Sequence, residues 1–263
     1  MAGALIELLG VSKSYDQGRS AAVSGVDLAI RQGELVALVG ASGSGKTTTL
    51  KMINRLAEPD AGEVRIEGRA VTELSAPDLR RSIGYVFQGV GLFPHMTVTE
   101  NIGITPDLLG WAKTDIAARA AELLDLVALP RAYGTRPPAD LSGGERQRVG
   151  VARALAARPR IVLMDEPFGA LDPITRDELG SAYRALHEHL GLTTVMVTHD
   201  VQEAVLLADR IIVMRAGRVL ADDTPRALLA GHADAAVAAL LDTPRRQAER
   251  VRALMERRDP ADG

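Results

Sequence analysis

The chain has 263 residues, of which 46% are hydrophobic and 25% are charged, as is ordinary for a soluble globular protein of one large domain with an insertion. The formal net charge of −3 gives no electrostatic case for nucleic acid, which we do not expect as a partner. The chain contains no cysteine, which excludes disulfides, thiolate metal sites and a cysteine nucleophile.

The N-terminal part contains short strand candidates that are separated by glycine and aspartate turns. They are Leu5–Val11, Val26–Ile30, Glu34–Val39 and Val64–Glu67. The first residues lack the basic start of a signal peptide, and Glu7 interrupts their apolar stretch, so we interpret them as a strand. No apolar run approaches the roughly 20 residues that span a bilayer. We therefore expect a cytosolic protein that reaches a membrane only through a partner.

The pattern G-x-x-x-x-G-K-[ST] follows the third strand candidate. Its residues are Gly40, Ala41, Ser42, Gly43, Ser44, Gly45, Lys46, Thr47 and Thr48. Glycines let a backbone approach an anion closely, and the helix that opens near Lys46 directs free N–H groups at that anion. We predict a nucleotide-phosphate site in which Lys46 reaches the β- and γ-phosphates and Thr47 ligates Mg²⁺. The alternative is a glycine–serine linker, but the order of strand, loop and helix favours the phosphate site.

The character of the sequence changes between about residues 88 and 157, where we predict a helical subdomain. Asp115–Leu126 carries apolar residues at helical spacing, and Pro137-Pro138 ends that pattern. Thr97–Glu100 has the T-x-x-E spacing of a helix capping box, and we assign it capping alone.

A second capping pattern, Leu-Ser-Gly-Gly-Glu at 141–145, differs because it contains two glycines. Ser142 and Glu145 predict the start of a helix, and a cap alone is a sufficient explanation for them. Gly143 and Gly144, however, cost helix stability. They are explained if the backbone must come close to something at the helix N-terminus, where an anion is favoured.

Strands and helices alternate from residue 161 onward, which predicts a largely parallel sheet covered on both faces. The predicted elements are strands Ile161–Met164, Thr193–Val197 and Ile211–Met214 and helices Asp177–Leu190 and Asp200–Ala208. In the first of these helices Leu179, Tyr183, Leu186 and Leu190 share one face, and His187 and His189 are expected to face solvent. Asp200–Glu203 resembles another capping box.

Two acids follow the strand Ile161–Met164. The carboxyl ends of such strands are where open α/β sheets bind ligands. Asp165 is suited to hold Mg²⁺, and Glu166 to orient and deprotonate an attacking water. Adjacent acids are common at strand ends, so this interpretation depends on the phosphate loop upstream. We place a nucleotide-binding domain at residues 1–230 and a tail of one or two short helices at 231–263.

These motifs, with Gln88, Ala170-Leu171-Asp172 and His199, resemble in order and spacing the ATP-binding subunits of ABC transporters, over about residues 3–230. The resemblance implies a P-loop NTPase of the α/β class. Its ABC nucleotide-binding domain would have a mainly parallel sheet core, an antiparallel β subdomain and an inserted helical subdomain. Two copies would pair head to tail around two ATP molecules. Each ATP would contact the phosphate loop of one copy and the 141–145 motif of the other.

The resemblance also implies roles for single residues. Tyr15 would stack on adenine, although a tyrosine packed in a turn is the alternative, and Val23 would line the same pocket. Gln88 would contact Mg²⁺ and the attacking water, and Asp172 would cross the dimer interface. His199 would contact the γ-phosphate.

Several segments resemble the importers of osmoprotectants such as glycine betaine, carnitine and choline. They are Lys51–Leu56, Ile83–Gln88, Gly91–Val98 and Met164–Thr175. Many members of that branch carry CBS modules after the core, and since the sequence ends at Gly263 we expect no sensing of ionic strength by such modules.

The resemblance implies partners as well: a second copy, membrane permease subunits and, indirectly, a solute-binding protein, at the cytoplasmic face of the inner membrane. The permease would contact the region near Gln88, where Phe93 and Met96 are candidate contacts. The alternatives are an importer for amino acids or oxyanions, an exporter subunit, and a soluble ABC ATPase that acts on DNA or ribosomes.

Overall fold

A computed structural model of the chain describes residues 3–16, 20–89, 91–169 and 171–256. The strands in this part of the chain are β1 (Ala4–Ser14), β2 (Ala21–Arg31), β3 (Leu35–Val39), β4 (Ala61–Ile66), β5 (Arg69–Ala70), β6 (Ile83–Val86), β7 (Ile161–Asp165), β8 (Thr193–Val197), β9 (Arg210–Arg215) and β10 (Arg218–Asp223). The α-helices are α1 (Lys46–Ile53), α2 (Ala76–Ser82), α3 (Val98–Leu108), α4 (Lys113–Leu126), α5 (Gly143–Leu155), α6 (Pro173–Leu190), α7 (Val201–Leu207), α8 (Pro225–Ala230) and α9 (Ala235–Glu256).

The main sheet has six strands in the order β10-β9-β3-β8-β7-β6. All neighbouring strands in it are parallel except β10, which pairs antiparallel with β9. Strands β3, β7 and β8 are buried along their whole length, as expected for parallel strands covered on both faces. The parallel arrangement predicted from the alternation of strands and helices is confirmed.

A second sheet has four strands in the order β2-β1-β4-β5 and is antiparallel throughout. Helix α1 packs between the two sheets, where Leu50, Met52 and Ile53 join a core with residues of both. Alternate residues of β3 point to this core and to the one on the opposite face of the main sheet, because successive side chains of a strand face opposite ways. The predicted fold class, a P-loop α/β domain with an antiparallel β subdomain, is confirmed.

Helices α3, α4 and α5 pack against one another within the segment that joins β6 to β7. Helix α3 begins with the capping box predicted at Thr97, whose hydroxyl accepts from the Glu100 N–H at 3.2 Å. The helices share apolar side chains such as Ile102, Leu123 and Val149 with the core on that side of the main sheet.

The prediction for the buried face of α6 was wrong at one turn. Leu190 is 46% exposed, whereas His187 is buried. His187 lies four residues after Tyr183, so it continues the same helical face, and its Nδ1 lies 3.0 Å from Thr194 Oγ1. A polar partner on β8 thus allows a histidine where the apolar pattern indicated solvent.

The predicted tail of short helices is also corrected, since α9 runs for 22 residues. Its first turns are anchored by Val237 and Leu241, which belong to the core beside α6 and α7. Residues 257–263 of the predicted tail lie outside the described part. Within the described residues, no helix combines the length and apolarity needed to cross a membrane.

Candidate functional site

The loop between β3 and α1 has a backbone that only glycine can adopt at two points. Gly40 has φ +150°, and a Cβ there would lie 2.1 Å from the Met214 carbonyl oxygen. Gly45 has φ +102°, and its Cβ would lie 2.4 Å from the Ala22 carbonyl oxygen. The loop is therefore wedged between neighbouring strands, and its curved shape is set by close backbone approach.

This loop leads directly into the N-terminus of α1, which has no side-chain cap and no acidic residue in its first turn. The N–H groups at such an end lack partners within the helix, and they favour an anion. Ser42 and Gly43 are exposed at the tip of the loop, and Ser44 is buried beneath it. Thr47 and Thr48 in the first turn are half-buried.

Lys46 places an ammonium group inside the loop. It is buried, and its Nζ donates to the carbonyl oxygens of Gly40 at 2.8 Å and Ala41 at 2.9 Å. Burial lowers the pKa of Lys46, although the carboxylates of Glu166 and Asp165 act in the opposite direction. The loop thus holds a desolvated cation beside a helix N-terminus, and both features attract phosphate.

Strand β7 delivers Asp165 to the foot of the loop. The Thr47 hydroxyl donates to Asp165 Oδ1 at 2.8 Å, which joins residues that are far apart in sequence. The carboxyl is buried, and desolvation raises its pKa. This pair of a hydroxyl and a carboxylate provides oxygen ligands of the kind that Mg²⁺ takes at phosphate sites.

Glu166 is the meeting point of three segments. Its Oε2 accepts from Gln88 Nε2 at 3.1 Å, and its Oε1 lies 3.4 Å from His199 Nδ1. Its backbone adopts a left-handed conformation with φ 48°, which is uncommon for a residue other than glycine and is found mainly where surroundings enforce it. The Glu166 N–H is held by the Val197 carbonyl at 2.9 Å. The structure therefore brings together the three residues predicted to be catalytic.

The 141–145 motif forms a second helix N-terminus on the surface. Ser142 Oγ accepts from the Glu145 N–H at 3.2 Å, and Glu145 Oε2 accepts from the Ser142 N–H at 2.7 Å. This bonding to Ser142 lowers the pKa of Glu145. A Cβ added at Gly143 would meet only Arg146 Nη2, at 4.0 Å, so the surface here is open. Within the described residues no hydrogen bond or ion pair joins this motif to the phosphate loop.

The other predicted ligand-binding residues differ in exposure. Tyr15 is 65% exposed, so the alternative of a packed tyrosine is wrong and an aromatic face is available. Val23 is completely buried, so its side chain offers no surface to adenine and the predicted role in that pocket is corrected; its Cγ2 would lie 3.4 Å from a Cβ at Gly45. Asp172 is exposed and caps α6 by accepting from the Thr175 N–H at 3.0 Å. Ala170, part of the motif quoted above, lies outside the described residues.

Sequence reasoning missed the contacts on either side of His199. Glu203 does not complete a capping box with Asp200, because its Oε2 accepts from the Thr198 hydroxyl at 2.6 Å instead. Burial raises the pKa of Glu203 to about 7. Asp200 Oδ2 accepts from Arg176 Nη1 at 3.0 Å. The spacing Asp200–Glu203 was the available signal, but it does not specify that Glu203 bonds to Thr198 or that Arg176 bonds to Asp200.

A glycine-rich loop between a buried strand and a helix N-terminus, with acids at the end of a neighbouring strand, defines a P-loop nucleotide-binding protein. A family model described as "ABC transporter" matches residues 23–169. The chain belongs to the ABC transporter family and contains its ATP-binding domain.

Comparison with curated proteins gives relatives along most of the chain. The choline transport ATP-binding protein OpuBA of Bacillus subtilis is 50% identical over 230 residues, which are 88% of this chain and 60% of that protein. The glycine betaine uptake system ATP-binding protein YehX of Escherichia coli is 47% identical over 225 residues, which are 86% of this chain and 72% of that protein. The chain thus spans about 60% of the length of several relatives.

A solved structure supports the fold independently. The ATP-binding cassette MJ0796, in a dimeric post-hydrolysis state bound to ADP and Pi, superposes with a TM-score of 0.78 at 36% identity. The match covers 84% of this chain and 99% of that one.

Proposed function

We propose that the chain is the ATP-hydrolysing subunit of a bacterial ABC importer that takes up a quaternary-amine osmoprotectant such as glycine betaine, carnitine or choline. The observation that carries the ATPase proposal is the contact of Glu166 with both Gln88 and His199 beside the phosphate loop. The solute class is supported by the names of relatives at about 50% identity.

In this proposal the phosphates of ATP lie in the loop from Gly40 to Thr48. The N-terminus of α1 and the buried Lys46 stabilise their negative charge. Tyr15 stacks on the base through its exposed ring, and Val23 supports the loop from below at Gly45.

The site also fits Mg²⁺, which Thr47, Asp165 and Gln88 would hold and which would neutralise phosphate charge when bound. Thr47 and Asp165 already share a hydrogen bond of 2.8 Å, so two oxygen ligands are in place. Gln88 supplies an amide oxygen at the same edge of the sheet, because it follows β6 next to β7.

Glu166 acts as the base for the attacking water. Its carboxylate lies beyond the end of β7. Gln88 and His199 contact its two oxygens from beyond the ends of β6 and β8, the strands on either side of β7. Gln88 then orients the water, while His199 contacts the γ-phosphate. Positioning and charge stabilisation supply most of the catalysis in such a reaction.

A second copy of the chain completes each site. In the 141–145 motif Ser142 is exposed and the next three residues are half-buried at a helix N-terminus, yet among the described residues no hydrogen bond joins the motif to its own phosphate loop. We propose that Ser142, Gly143, Gly144 and Glu145 contact the ATP of the partner and that Asp172 crosses the interface. The dimeric state of MJ0796 supports this arrangement.

The permease is proposed to contact a groove of about 330 Å³ between the main sheet and the helical segment. Phe87 and Phe93 line it together with Arg80 and Arg153, and Phe93 is 42% exposed. Met96 does not line the groove, so Phe93 is the better candidate contact. Phe87 in the groove is the neighbour of Gln88 in sequence, so a permease bound there would lie next to the proposed catalytic residues. The complex, with a solute-binding protein outside, would hold the chain at the cytoplasmic face of the inner membrane.

Mixing two defective variants tests the shared site. Lys46→Ala and Gly143→Asp should each abolish most ATP hydrolysis alone. In a mixed head-to-tail dimer both defects fall in one site and the other is intact, so roughly a quarter of the wild-type activity should return on random pairing. No recovery on mixing, with both variants folded, would place the whole site in one chain and contradict the proposal.

Uptake tests the solute. A strain that lacks this chain should lose uptake of radiolabelled glycine betaine, carnitine or choline, and the wild-type gene should restore it. A second candidate is import of an oxyanion, because a sulfate/thiosulfate import ATP-binding protein of Synechococcus elongatus is 49% identical over 81% of this chain. Loss of sulfate uptake alone would favour that candidate.

A further inference from the structure

Arg176, in the first turn of α6, joins two loops of the site. Its Nη2 donates to the Leu171 carbonyl oxygen at 3.2 Å, and its Nη1 donates to Asp200 Oδ2 at 3.0 Å. Asp172, which follows Leu171, caps the same helix. One guanidinium therefore connects the segment before α6 with the residue that follows His199.

The residues on either side of His199 are held by side chains. Asp200 Oδ1 accepts from two backbone N–H groups at the start of α7. The Thr198 hydroxyl accepts from the Asp200 N–H at 3.0 Å and donates to Glu203 Oε2 at 2.6 Å. The His199 ring itself is 63% exposed and meets Glu166 at its edge. The direction of the ring is therefore set mainly by the backbone that Asp200 and Thr198 fix.

The contact depends on the shape of the guanidinium. Its two terminal nitrogens point to different loops, which a lysine with a single point charge cannot reproduce. Among the described residues Nε of Arg176 is buried without a hydrogen-bond partner. A cavity of about 540 Å³ lies alongside, between α6 and α7. The terminal nitrogens are thus the atoms through which Arg176 holds both loops.

We infer that Arg176 is a positioning residue for ATP hydrolysis, which transmits the placement of the Leu171–Asp172 segment to His199 through Asp200. The inference rests on the proposed function, in which Asp172 meets the second copy and His199 meets the γ-phosphate. When two copies close on ATP, the position of Asp172 fixes Arg176, and the ion pair with Asp200 aligns the histidine. Loss of the pair should therefore lower kcat and leave ATP binding at the phosphate loop almost unchanged.

Arg184 offers a matched control on the same helix. It also donates to a backbone carbonyl, that of Leu207 at 2.9 Å, and pairs with a carboxylate, Asp209, at 2.8 Å. Its side chain is exposed to about the same degree as that of Arg176. Arg184→Met thus removes the same kinds of bond from α6 without contacting the residues next to His199.

The test is a double-mutant cycle in the full chain, with kcat and KM for Mg-ATP measured for wild type, Arg176→Met, His199→Ala and the double variant. Arg176→Met should lower kcat roughly tenfold, since a small misplacement of a catalytic group suffices, with KM within about twofold. In the His199→Ala background the same change should have little further effect, because both substitutions remove one function. Arg176→Lys should recover part of kcat, and Arg184→Met should leave it within about twofold.

Additive losses of kcat in the cycle, or an equal loss in Arg184→Met, would overturn the inference while the ATPase assignment stands. If Arg176→Met fails to fold, Asp200→Asn takes its place in the cycle, because its Oδ1 still caps α7 while its amide cannot pair with Arg176. Wild-type protein without ATP hydrolysis would reject the proposed function, and the inference with it.

Discussion

The N-termini of α1 and α5 both carry glycine-rich motifs, before the first residue of α1 and within the first turn of α5, but their surroundings differ. At α1 the loop is wedged against backbone, no side chain caps the helix and a lysine is buried within the turn. At α5 Ser142 and Glu145 form a full capping box. A Cβ at Gly143 would meet open space, whereas one at Gly144 would lie 3.3 Å from Leu171 Cδ2. Contacts with neighbouring strands fix the backbone before α1. The N-terminus of α5 is capped by its own side chains and lies at the surface.

In the proposed dimer, this difference would let helix N-termini of two kinds supply the two halves of one site. A helix N-terminus without a cap retains N–H groups for a ligand, so α1 is prepared to hold phosphate before any partner arrives. A capped terminus is stable alone, so α5 can remain exposed in a single copy.

The largest effect is expected at Glu166, the proposed base, which would act once both helix N-termini contact the nucleotide. Glu166→Gln should lower kcat for ATP hydrolysis by about 10³-fold, because the amide cannot accept the proton of the attacking water. ATP binding should persist, so this variant with Mg-ATP should run as a dimer in size-exclusion chromatography with light scattering. Wild-type turnover would contradict the role of Glu166, and a persistent monomer would contradict the shared site.

Lys46→Ala tests the N-terminus of α1. It should weaken ATP binding roughly 100-fold, since charge-assisted bonds to the phosphates are lost. The free protein should not lose stability in proportion, because the lowered pKa of Lys46 shows that burial of its charge is unfavourable. Titration calorimetry and thermal unfolding measure the two quantities.

Lys51→Ala, which alters the other lysine of α1, is the control for Lys46→Ala and should change the ATP affinity by about twofold or less. Equal losses of affinity in both variants would indicate a general effect of positive charge on α1. In that case the position of Lys46 inside the loop would not account for its effect on ATP binding.

A pair of alanine substitutions compares the glycines directly. Gly40→Ala should destabilise the protein by about 2 kcal/mol or more, because the new Cβ would overlap the Met214 carbonyl. Gly143→Ala should be neutral or stabilise by up to about 1 kcal/mol, since alanine favours helix and nothing obstructs it. It should nevertheless lower ATP hydrolysis, because Gly143 is proposed to contact the partner's nucleotide. Chemical denaturation and an ATPase assay on the same samples separate the two effects. Full activity of Gly143→Ala would contradict a nucleotide contact at that surface.

Sequence sufficed for the features whose cause is local. The strand–loop–helix geometry at Gly40–Thr48, the capping boxes at Thr97 and Ser142 and the apolar strands follow from spacing and residue type, and the fold confirms them. Contacts between side chains of different elements cannot be predicted in this way. His187 is buried because Thr194 on another strand offers a polar partner, and Glu203 meets Thr198 instead of completing a box. Such pairings depend on tertiary geometry, which the 3.6-residue period of a helix cannot specify.

The smallest effect isolates function from capping. Ser142→Ala and Thr97→Ala each remove a hydroxyl that accepts at 3.2 Å in a capping box, so both should lower stability by about 1 kcal/mol. Only Ser142→Ala should also lower ATP hydrolysis, severalfold, because Ser142 alone is proposed to contact the partner's nucleotide. Thermal unfolding and ATPase rates of the two variants provide the comparison. An equal fall in rate for both would mean that helix capping alone explains the role of Ser142. The N-terminus of α5 would then have no part in ATP hydrolysis.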